Sequence, residues 1–277
     1  MARRTCPNLL LIAALVLAGA GAYGAPAAPV LEPIVLGVEP MYGDRATLDA
    51  FTPLCEHLAR RLARPCRVQT APNYFAYWDM IRRGADYNLV FESAHFTDYR
   101  VAKQKFTVLA KAPNAVTYSL VVSNRAPALD PRNLHGKLVA TFGVPSLGAV
   151  RLNDMFRDPT RQPHLVEVAT VDEGMRRLLD GKVAGAFMPT PGIASFLERN
   201  RDIAVLFATE PFPHAAFSAA PTFDKKTRAA LREALLEAHL DPQGFTAVRA
   251  AGFPRFVPAN ASVYVGQSRA LKAYWGY

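Results

Sequence analysis

The sequence predicts an α/β fold in two lobes, each a mostly parallel sheet flanked by helices. Short apolar runs alternate with amphipathic stretches, which is the pattern of parallel strands with helices on the sheet faces. A longer apolar run at residues 118–122 interrupts this rhythm, which resumes after a loop at 127–136. A second such run at 203–208 is long enough to return the chain to its first part. We therefore predict that two crossing strands join the lobes.

The chain is divided accordingly into a leader and two lobes. Residues 1–24 have the order of a secretory signal peptide: two arginines among the first four residues, an apolar run at 9–18, then small residues. That run is short for a membrane span, although a single N-terminal anchor is the alternative. The remaining chain is expected outside the cytoplasm, which argues against roles that need cytoplasmic ATP, NAD or DNA. Lobe 1 is predicted at 25–118 plus 209–277, and lobe 2 at 119–208.

The elements of lobe 1 follow from apolar spacing and from residues that end helices and strands. The first strand stops at Glu39 and Pro40, and Asp44 or Thr47 is predicted to cap the helix that follows. Gly84 stops the second helix. A strong helix and a last helix containing Leu271, Tyr274 and Trp275 complete the lobe. The predicted strands lie at 34–38, 66–69 and 87–91, and the predicted helices at 48–62, 75–83 and 227–237.

Lobe 2 repeats the alternation of strand and helix. Ser146 is predicted to cap a helix that runs to Met155. Thr170 and Glu173 have the spacing of a capping box for the next helix, and Pro191 suits the first turn of the one after it. The predicted strands lie at 137–141, 165–168 and 184–188.

A weak internal repeat indicates that the two lobes are similar. Residues 80–86 and 177–183 each lead into an apolar strand, and these strands end in the loops 92–95 and 189–192. In open α/β sheets, ligands bind at the carboxyl ends of the strands. These two loops are therefore candidate parts of a binding site.

Composition narrows the class of protein. Apolar residues make up 51% of the chain and charged residues 20%, which indicates a real core and little disorder. The formal charge of +9 favours anionic ligands or surfaces, or is simply a property of a secreted protein. The basic residues are scattered rather than clustered with aromatic residues, so no nucleic-acid partner is expected.

Cysteines and catalytic motifs give little sign of enzymatic chemistry. Cys55 and Cys66 can form one disulfide in an oxidising compartment, or remain two buried thiols. Only His57 is close to them, so no metal site is expected. The chain has no nucleophile elbow, zinc-binding His-Glu-x-x-His or Walker loop. We therefore predict a protein that is not an enzyme and needs no cofactor.

Several of these segments resemble a known family. The run at 36–42, a strand followed by a proline and an aromatic residue, is similar to the first strand of phosphate/phosphonate-type periplasmic binding proteins of ABC transporters, which have the type II binding-protein fold. The helix at 51–62, the turn at 84–86 and the loop at 91–96 follow the same family order. In lobe 2 the match lies at 137–146 and 184–188. The resemblance covers roughly residues 34–238.

The resemblance implies a periplasmic, monomeric protein that closes on a small solute and delivers it to an ABC permease. Phosphonate, phosphate or a related oxyanion is the expected solute. A helix N-terminus offers free N–H groups and a positive dipole end to such an anion. The residues predicted to contact the ligand are Tyr42, Glu92, Ser93, His95, Ser146, Thr190 and Glu210.

This chain departs from the family pattern in two places. At 144–148 only Ser146 remains of a run of small hydroxyl residues, and Val171 or a neighbour replaces a family histidine. Glu92 and Glu210, if they lie in the cleft, would repel an anion and attract an amine. The amine is therefore the alternative ligand.

Other interpretations of the same residues remain open. His214 shares a proline-stiffened loop with Glu210, which is either part of the cleft or an ordinary connector. The aromatic cluster of Tyr74, Tyr77 and Trp78 is expected to be mostly core, with one ring able to reach the cleft. The alternative function is a ligand-sensing subunit for a membrane kinase or chemoreceptor, and a third is a periplasmic enzyme on the same fold.

Overall fold

The computed structural model describes Met1 and residues 32–84, 87–125, 128–274 and 276–277. The predicted signal peptide at 1–24, most of the turn at 84–86 and Trp275 lie outside the described residues. Among the described helices, none combines the length and the apolar character that crossing a membrane requires.

The strands are short and mostly buried. In chain order they are β1 (Ile34–Val38), β2 (Cys66–Gln69), β3 (Leu89–Glu92), β4 (Thr107–Lys111), β5 (Ala115–Val116), β6 (Tyr118–Ser123), β7 (Leu138–Thr141), β8 (His164–Glu167), β9 (Gly185–Pro189), β10 (Ile203–Ala208), β11 (Phe212–Pro213), β12 (Ala216–Ala219) and β13 (Val257–Pro258).

The α-helices alternate with these strands. They are α1 (Asp44–Leu62), α2 (Tyr74–Arg82), α3 (Ala94–Gln104), α4 (Leu147–Met155), α5 (Val171–Leu179), α6 (Thr190–Arg199), α7 (Lys225–Glu237) and α8 (Pro242–Ala250). Short 3₁₀ helices lie at Pro131–Leu134, Pro159–Arg161, Ala238–Leu240, Ala261–Tyr264 and Gln267–Ala273.

Two separate sheets confirm the predicted α/β architecture. The described strands form a six-stranded sheet in the order β13-β4-β12-β3-β1-β2 and a five-stranded sheet in the order β10-β6-β9-β7-β8. Each has a parallel set of three strands, with β1 between β2 and β3, and β7 between β8 and β9. Antiparallel pairs extend both sets, so the sheets are mixed. In the six-stranded sheet β12 pairs with β3 and β4, and in the five-stranded sheet β6 pairs with β9 and β10.

Two neighbouring segments connect the sheets. One runs from β4 through β5 to β6, and the other from β10 through β11 to β12. Between the sheets they pair as the antiparallel ribbon β5–β11, with Phe212 opposite Val116. The strands predicted to cross correspond to β6 and β10. Both lie within the five-stranded sheet, and the two connections to the other sheet run through β5 and β11. The division of the chain into lobes at residues 118/119 and 208/209 stays a prediction.

Local residues explain where the helices begin. Ser146 caps α4 by accepting from the Ala149 N–H, and Thr170 caps α5 by accepting from the Glu173 N–H, as predicted. The predicted cap of α1 is wrong, because Gly43 holds the N-cap position with φ 81°. Thr47 instead donates its hydroxyl to the Gly43 carbonyl from inside the helix.

The C-terminal region departs most from the prediction. Leu271 lies in a 3₁₀ helix, Gln267–Ala273, rather than in an α-helix, and Tyr274 is its C-cap. Helix α8 had no counterpart in the sequence analysis. It packs against α1. This contact brings the end of α8 to the six-stranded sheet.

Cys55 and Cys66 form a disulfide, which decides between the two alternatives left open by the sequence. Their Cα atoms are 5.4 Å apart, and the bond ties α1 to β2. Cys55 is buried within the core of the six-stranded sheet. The disulfide therefore fixes the helix on the edge of that sheet.

Removing the disulfide should destabilise this sheet. For a loop of 11 residues, loop-closure entropy corresponds to about 3 kcal/mol. We expect the double variant Cys55→Ala/Cys66→Ala to lose about 2–3 kcal/mol of unfolding free energy in urea titrations. A reducing agent should lower the stability of the wild type and leave the variant unchanged. Equal stability of variant and wild type would contradict the structural role.

Candidate functional site

A cavity of about 420 Å³ lies between the two sheets. Residues after the ends of β1 and β3 line one side, and residues from the starts of α4, α5 and α6 line the other. The β5–β11 ribbon closes the back. The lining consists of Glu39, Met41, Tyr42, Tyr74, Ser93, Pro113, Asn114, Ala115, Val116, Tyr118, Phe142, Leu147, Val171, Pro189, Pro191, Gly192, Pro213, His214, Ala215, Gly252, Phe253 and Pro254.

A larger, more open groove of about 670 Å³ beside α5 is the weaker candidate. Its charged side chains already pair along the helix, with Arg177 2.8 Å from Glu173 and Arg176 3.3 Å from Asp172. Lys182 and Asp180 form a third pair, so the acids and bases of the described lining balance and leave no net charge to attract a ligand.

Strand pairing puts two polar side chains together at the cavity. Parallel β1 and β3 place Val38 opposite Phe91, so both strands end at the same edge of the sheet. The chain leaves β1 at Glu39 and leaves β3 just before Ser93. The Ser93 hydroxyl donates to Glu39 Oε1 at 2.5 Å.

Glu39 is the one acidic side chain in the described lining. It is 2% exposed, and among the described residues its Oε2 atom is buried without a hydrogen-bond partner. Burial raises its pKa to about 7; the hydrogen bonds from Ser93 lower it, and the nearby Glu92 charge raises it. An acceptor that is buried, ionisable and half-satisfied is a group to which a ligand can donate.

Three tyrosines surround this carboxyl group. Burial raises the pKa of Tyr42, Tyr74 and Tyr118, and the charge of Glu39 adds to each shift, so all three are neutral at physiological pH. Tyr118 belongs to the five-stranded sheet, whereas Glu39 follows β1 of the other sheet. The Tyr74 ring lies 5.9 Å from the Phe142 ring, which extends the aromatic wall across the cavity.

Tyr42 is held in place by the end of α8. Its hydroxyl donates to the Ala251 carbonyl at 3.1 Å. Gly252 makes this approach possible, because it has φ +90° and a Cβ there would lie 2.6 Å from the tyrosine oxygen. Helix α8 therefore positions a cavity side chain far from it in sequence.

His214 contributes a neutral ring. Burial, and secondarily the charge of Lys111, lowers its pKa to about 4. Its Nδ1 accepts from the Ala215 N–H at 2.8 Å, which requires an unprotonated nitrogen. The described lining thus holds neither lysine nor arginine, and its histidine is uncharged.

Helix N-termini supply the positive potential of the site. Ser93, Leu147, Val171 and Gly192 lie at the starts of α3, α4, α5 and α6. Helix α6 has no side-chain cap. Dipoles directed at the cavity favour negative charge there, and Glu39 already accepts from the start of α3.

Of the residues predicted to contact the ligand, Tyr42 and Ser93 line the cavity. Thr190 lies at its edge, between the lining residues Pro189 and Pro191, and its hydroxyl is 2.8 Å from both the Thr117 and Ser119 hydroxyls. The other four predicted residues lie outside the lining.

Glu92 is fully buried beneath the cavity floor and already neutralised. It makes an ion pair of 2.8 Å with Arg100, which is 1% exposed, and accepts from the Tyr77 hydroxyl at 2.7 Å. Glu210 is exposed on the surface. The acid that faces the cavity is therefore neither of the two considered from the sequence.

His95 joins the two halves instead, whereas Ser146 bonds residues of its own half. The buried His95 places Nε2 2.8 Å from the Pro145 carbonyl oxygen, so Nε2–H donates across the gap between α3 and α4. Burial lowers its pKa to about 3. The Ser146 hydroxyl donates to the Phe142 carbonyl at 3.1 Å while capping α4.

Several lining residues are not among those predicted from the sequence. Glu39 was treated as the end of a strand, although a polar residue immediately after a buried strand is a signal for a site. Tyr118 was treated as an ordinary strand residue, and Phe142, which follows a predicted strand, was not considered. Phe253 had no local signal, because only the packing of α8 brings it to the cavity.

The family to which the chain belongs follows from a sequence comparison. Residues 36–264 match the model of a family described as the periplasmic substrate-binding protein of phosphonate ABC transporters. The chain belongs to this family and has a solute-binding role, which confirms the predicted family and class of function. No protein in a curated collection matches it in sequence.

Solved structures confirm the type II binding-protein fold. PhnD1 from Prochlorococcus marinus, in complex with methylphosphonate, superposes with a TM-score of 0.73 at 12% identity, over 88% of this chain and 98% of that one. XAC2383 from Xanthomonas citri, bound to ATP, gives 0.71 at 15% identity over 87% and 97%. A periplasmic binding protein from Salmonella typhimurium with high arginine specificity gives 0.54 at 12% over 79% and 98%.

Glu39 should make stability depend on pH. Its pKa is higher in the folded state than the usual 4.5, so the folded protein binds the extra proton between about pH 4.5 and 7, and its contribution to stability falls as pH rises through that window. We expect Glu39→Gln to gain up to about 3 kcal/mol on the wild type between pH 5 and 8.

Unfolding free energies of both proteins across this pH range test the prediction. The quantity to compare is the difference between the two curves. His95 and His214 have lowered pKa values, so they make both proteins less stable as pH falls below about 6.5, and this effect cancels in the difference. Glu210→Gln, which alters an exposed acid, should follow the wild type. A constant difference between Glu39→Gln and wild type would contradict the assigned state of Glu39.

Glu92 should matter for folding rather than for binding. Glu92→Gln leaves the Arg100 guanidinium buried with an uncompensated charge, so we expect a loss of about 3–5 kcal/mol of unfolding free energy. At a temperature where the variant remains folded, its affinity for a bound solute should stay within about threefold of wild type. Urea titration and calorimetry measure the two quantities. A large loss of affinity with little loss of stability would place Glu92 in the binding site.

Proposed function

We propose that the mature chain acts in the periplasm as a monomer that closes on one small solute and delivers it to an ABC permease. Lobe 1 (25–118 plus 209–277) and lobe 2 (119–208) would supply the two walls of the site. The observation that carries this proposal is the 420 Å³ cavity at the carboxyl ends of both parallel strand sets. Ligand sites of small molecules commonly have this size and position.

The contacts around the cavity are those expected of a closed state. Arg151 bonds Gln267 at 2.9 Å, and Asn153 bonds the Tyr274 hydroxyl at 3.2 Å, so α4 meets the C-terminal segment. Hinge opening about the β5–β11 ribbon would break these polar contacts and the ring contact of Tyr74 with Phe142, and would leave both sheets intact. The geometry therefore supports reversible closure.

Two features support action outside the cytoplasm. Residues 1–24 have the pattern of a signal peptide. The Cys55–Cys66 disulfide is of a kind that persists in oxidising compartments. Both agree with the periplasmic location of the family.

The lining favours binding over catalysis. The Ser93 hydroxyl donates to Glu39, but no described residue bonds the second oxygen of that carboxyl group to orient it as a base. The Nδ1 atom of His214 accepts from a backbone N–H and is not free to act as one. The helix N-termini support a negatively charged group on the solute. Tyr42 and Ser93 are the proposed contacts among the residues named from the sequence.

Binding to the mature protein, from Ala25 onward, tests this function. We expect isothermal titration with a panel of phosphonates, phosphate, amines and amino acids to find at least one solute that binds one to one. Small-angle scattering should show a smaller radius of gyration with that solute bound. Tyr42→Ala should weaken binding at least tenfold, because it removes a wall of the cavity, whereas Tyr42→Phe keeps the ring.

Two results would contradict the proposal. One is the absence of saturable binding by every member of the panel. The other is conversion of the bound solute to a product, detected by mass spectrometry, which would favour an enzyme on this fold.

A further inference from the structure

We propose that the solute carries a protonated amino group that pairs with Glu39. This inference rests on the proposed function, in which the cavity holds the solute. Glu39, which follows the end of β1, would recognise the amino group. The expected ligand is then an amine rather than a simple oxyanion such as phosphate or methylphosphonate.

One oxygen of the Glu39 carboxyl group lacks a hydrogen-bond donor among the described residues. Glu39 is 2% exposed and lines the cavity, and Ser93 binds its Oε1 atom. Among the described residues, Oε2 has no partner. A buried acceptor without a donor is costly, and an ammonium group satisfies it with charge-assisted hydrogen bonds. The ligand would thus complete a site that the protein leaves half-built.

Aromatic side chains form the cavity wall around that oxygen. Tyr42, Tyr74 and Tyr118 lie close enough to Glu39 for its charge to affect the titration of each ring. Phe142 and Phe253 continue the surface. Aromatic faces attract organic cations and accommodate an apolar body. A carboxylate among aromatic rings is the chemistry that recognises an amine.

The charges of the lining disfavour a ligand that is only an oxyanion. A phosphonate in this cavity would lie beside Glu39 with neither lysine nor arginine in the described lining, and His214 is neutral. The charge on Glu39 would oppose such a ligand unless an amine on the same molecule compensated it. An acidic group is therefore compatible when it accompanies the amine, because the starts of α4, α5 and α6 line the cavity and their dipoles favour negative charge.

The groups facing Glu39 also determine the pH response. Ser93 and the three tyrosines are neutral, and the Glu92 charge behind it is paired with Arg100. Amine binding should therefore follow ionisation of Glu39 itself. Affinity should increase as pH rises through about 7, and Glu39→Gln should remove that dependence.

Matched probes test the inference by calorimetry. The first set is 2-phenylethylamine, 2-phenylethanol and 2-phenylethylphosphonate, which share one body and differ in the charge of the head group. The second pair is aminomethylphosphonate and methylphosphonate. We expect the amine to bind most tightly in each set, and Glu39→Gln to weaken its binding about 10- to 100-fold. Glu210→Gln, an exposed acid outside the cavity, serves as the control and should not change it.

Three outcomes would overturn the inference. A phosphonate lacking an amine could bind at least as tightly as its amine partner. Glu39→Gln could leave amine affinity unchanged. Neither amine could show saturable binding. In each case, stoichiometric binding of any solute of the wider panel would preserve the proposed function, so the two failures are distinguishable. Circular dichroism of Glu39→Gln confirms that the variant is folded.

Discussion

The parallel pairing of β1 with β3 is the constraint on which the site depends. Because both strands run in the same direction, their chains leave the sheet at one edge, and Glu39 meets Ser93 there. The buried pair of Glu92 and Arg100 anchors the end of β3 from beneath. The cavity is therefore built at strand ends and helix starts. Sites held by strands and helices are positioned more precisely than sites on loops, so the polar groups are in position before a ligand arrives.

Burial of Glu39 gives this rigid site its chemical character. The cost of holding a carboxyl group among aromatic rings appears as a pKa near 7 and an unsatisfied oxygen. Four helix N-termini offset part of that cost through their dipoles. The same positive potential would attract an anionic ligand. The charge of Glu39 already occupies that potential and repels a second anion. The chain thus belongs to a phosphonate-binding family, and the described lining of its cavity holds a carboxyl group and neither lysine nor arginine.

Sequence reasoning was most successful where short-range signals decide structure. The strand β1, the caps at Ser146 and Thr170, and the alternation of strands and helices could be predicted from spacing and capping residues. The site was harder, because burial depends on three-dimensional packing. Glu92 and Glu39 both stand at strand ends, and only the guanidinium of Arg100, eight residues after Glu92, determines which acid is neutralised. Phe253 enters the cavity through α8, and nothing near it in sequence indicates this.

A ligand held by Glu39 would link recognition to closure. Glu39 and Tyr42 belong to the side of the six-stranded sheet, whereas Tyr118, Phe142 and Val171 come from the other side. A solute bound to Glu39 gains the second set of contacts only when the halves approach. A conformational equilibrium shifts only by the difference in binding energy between its two states. The amine would thus provide the anchor on one half, and its apolar body the additional contacts that favour the closed form.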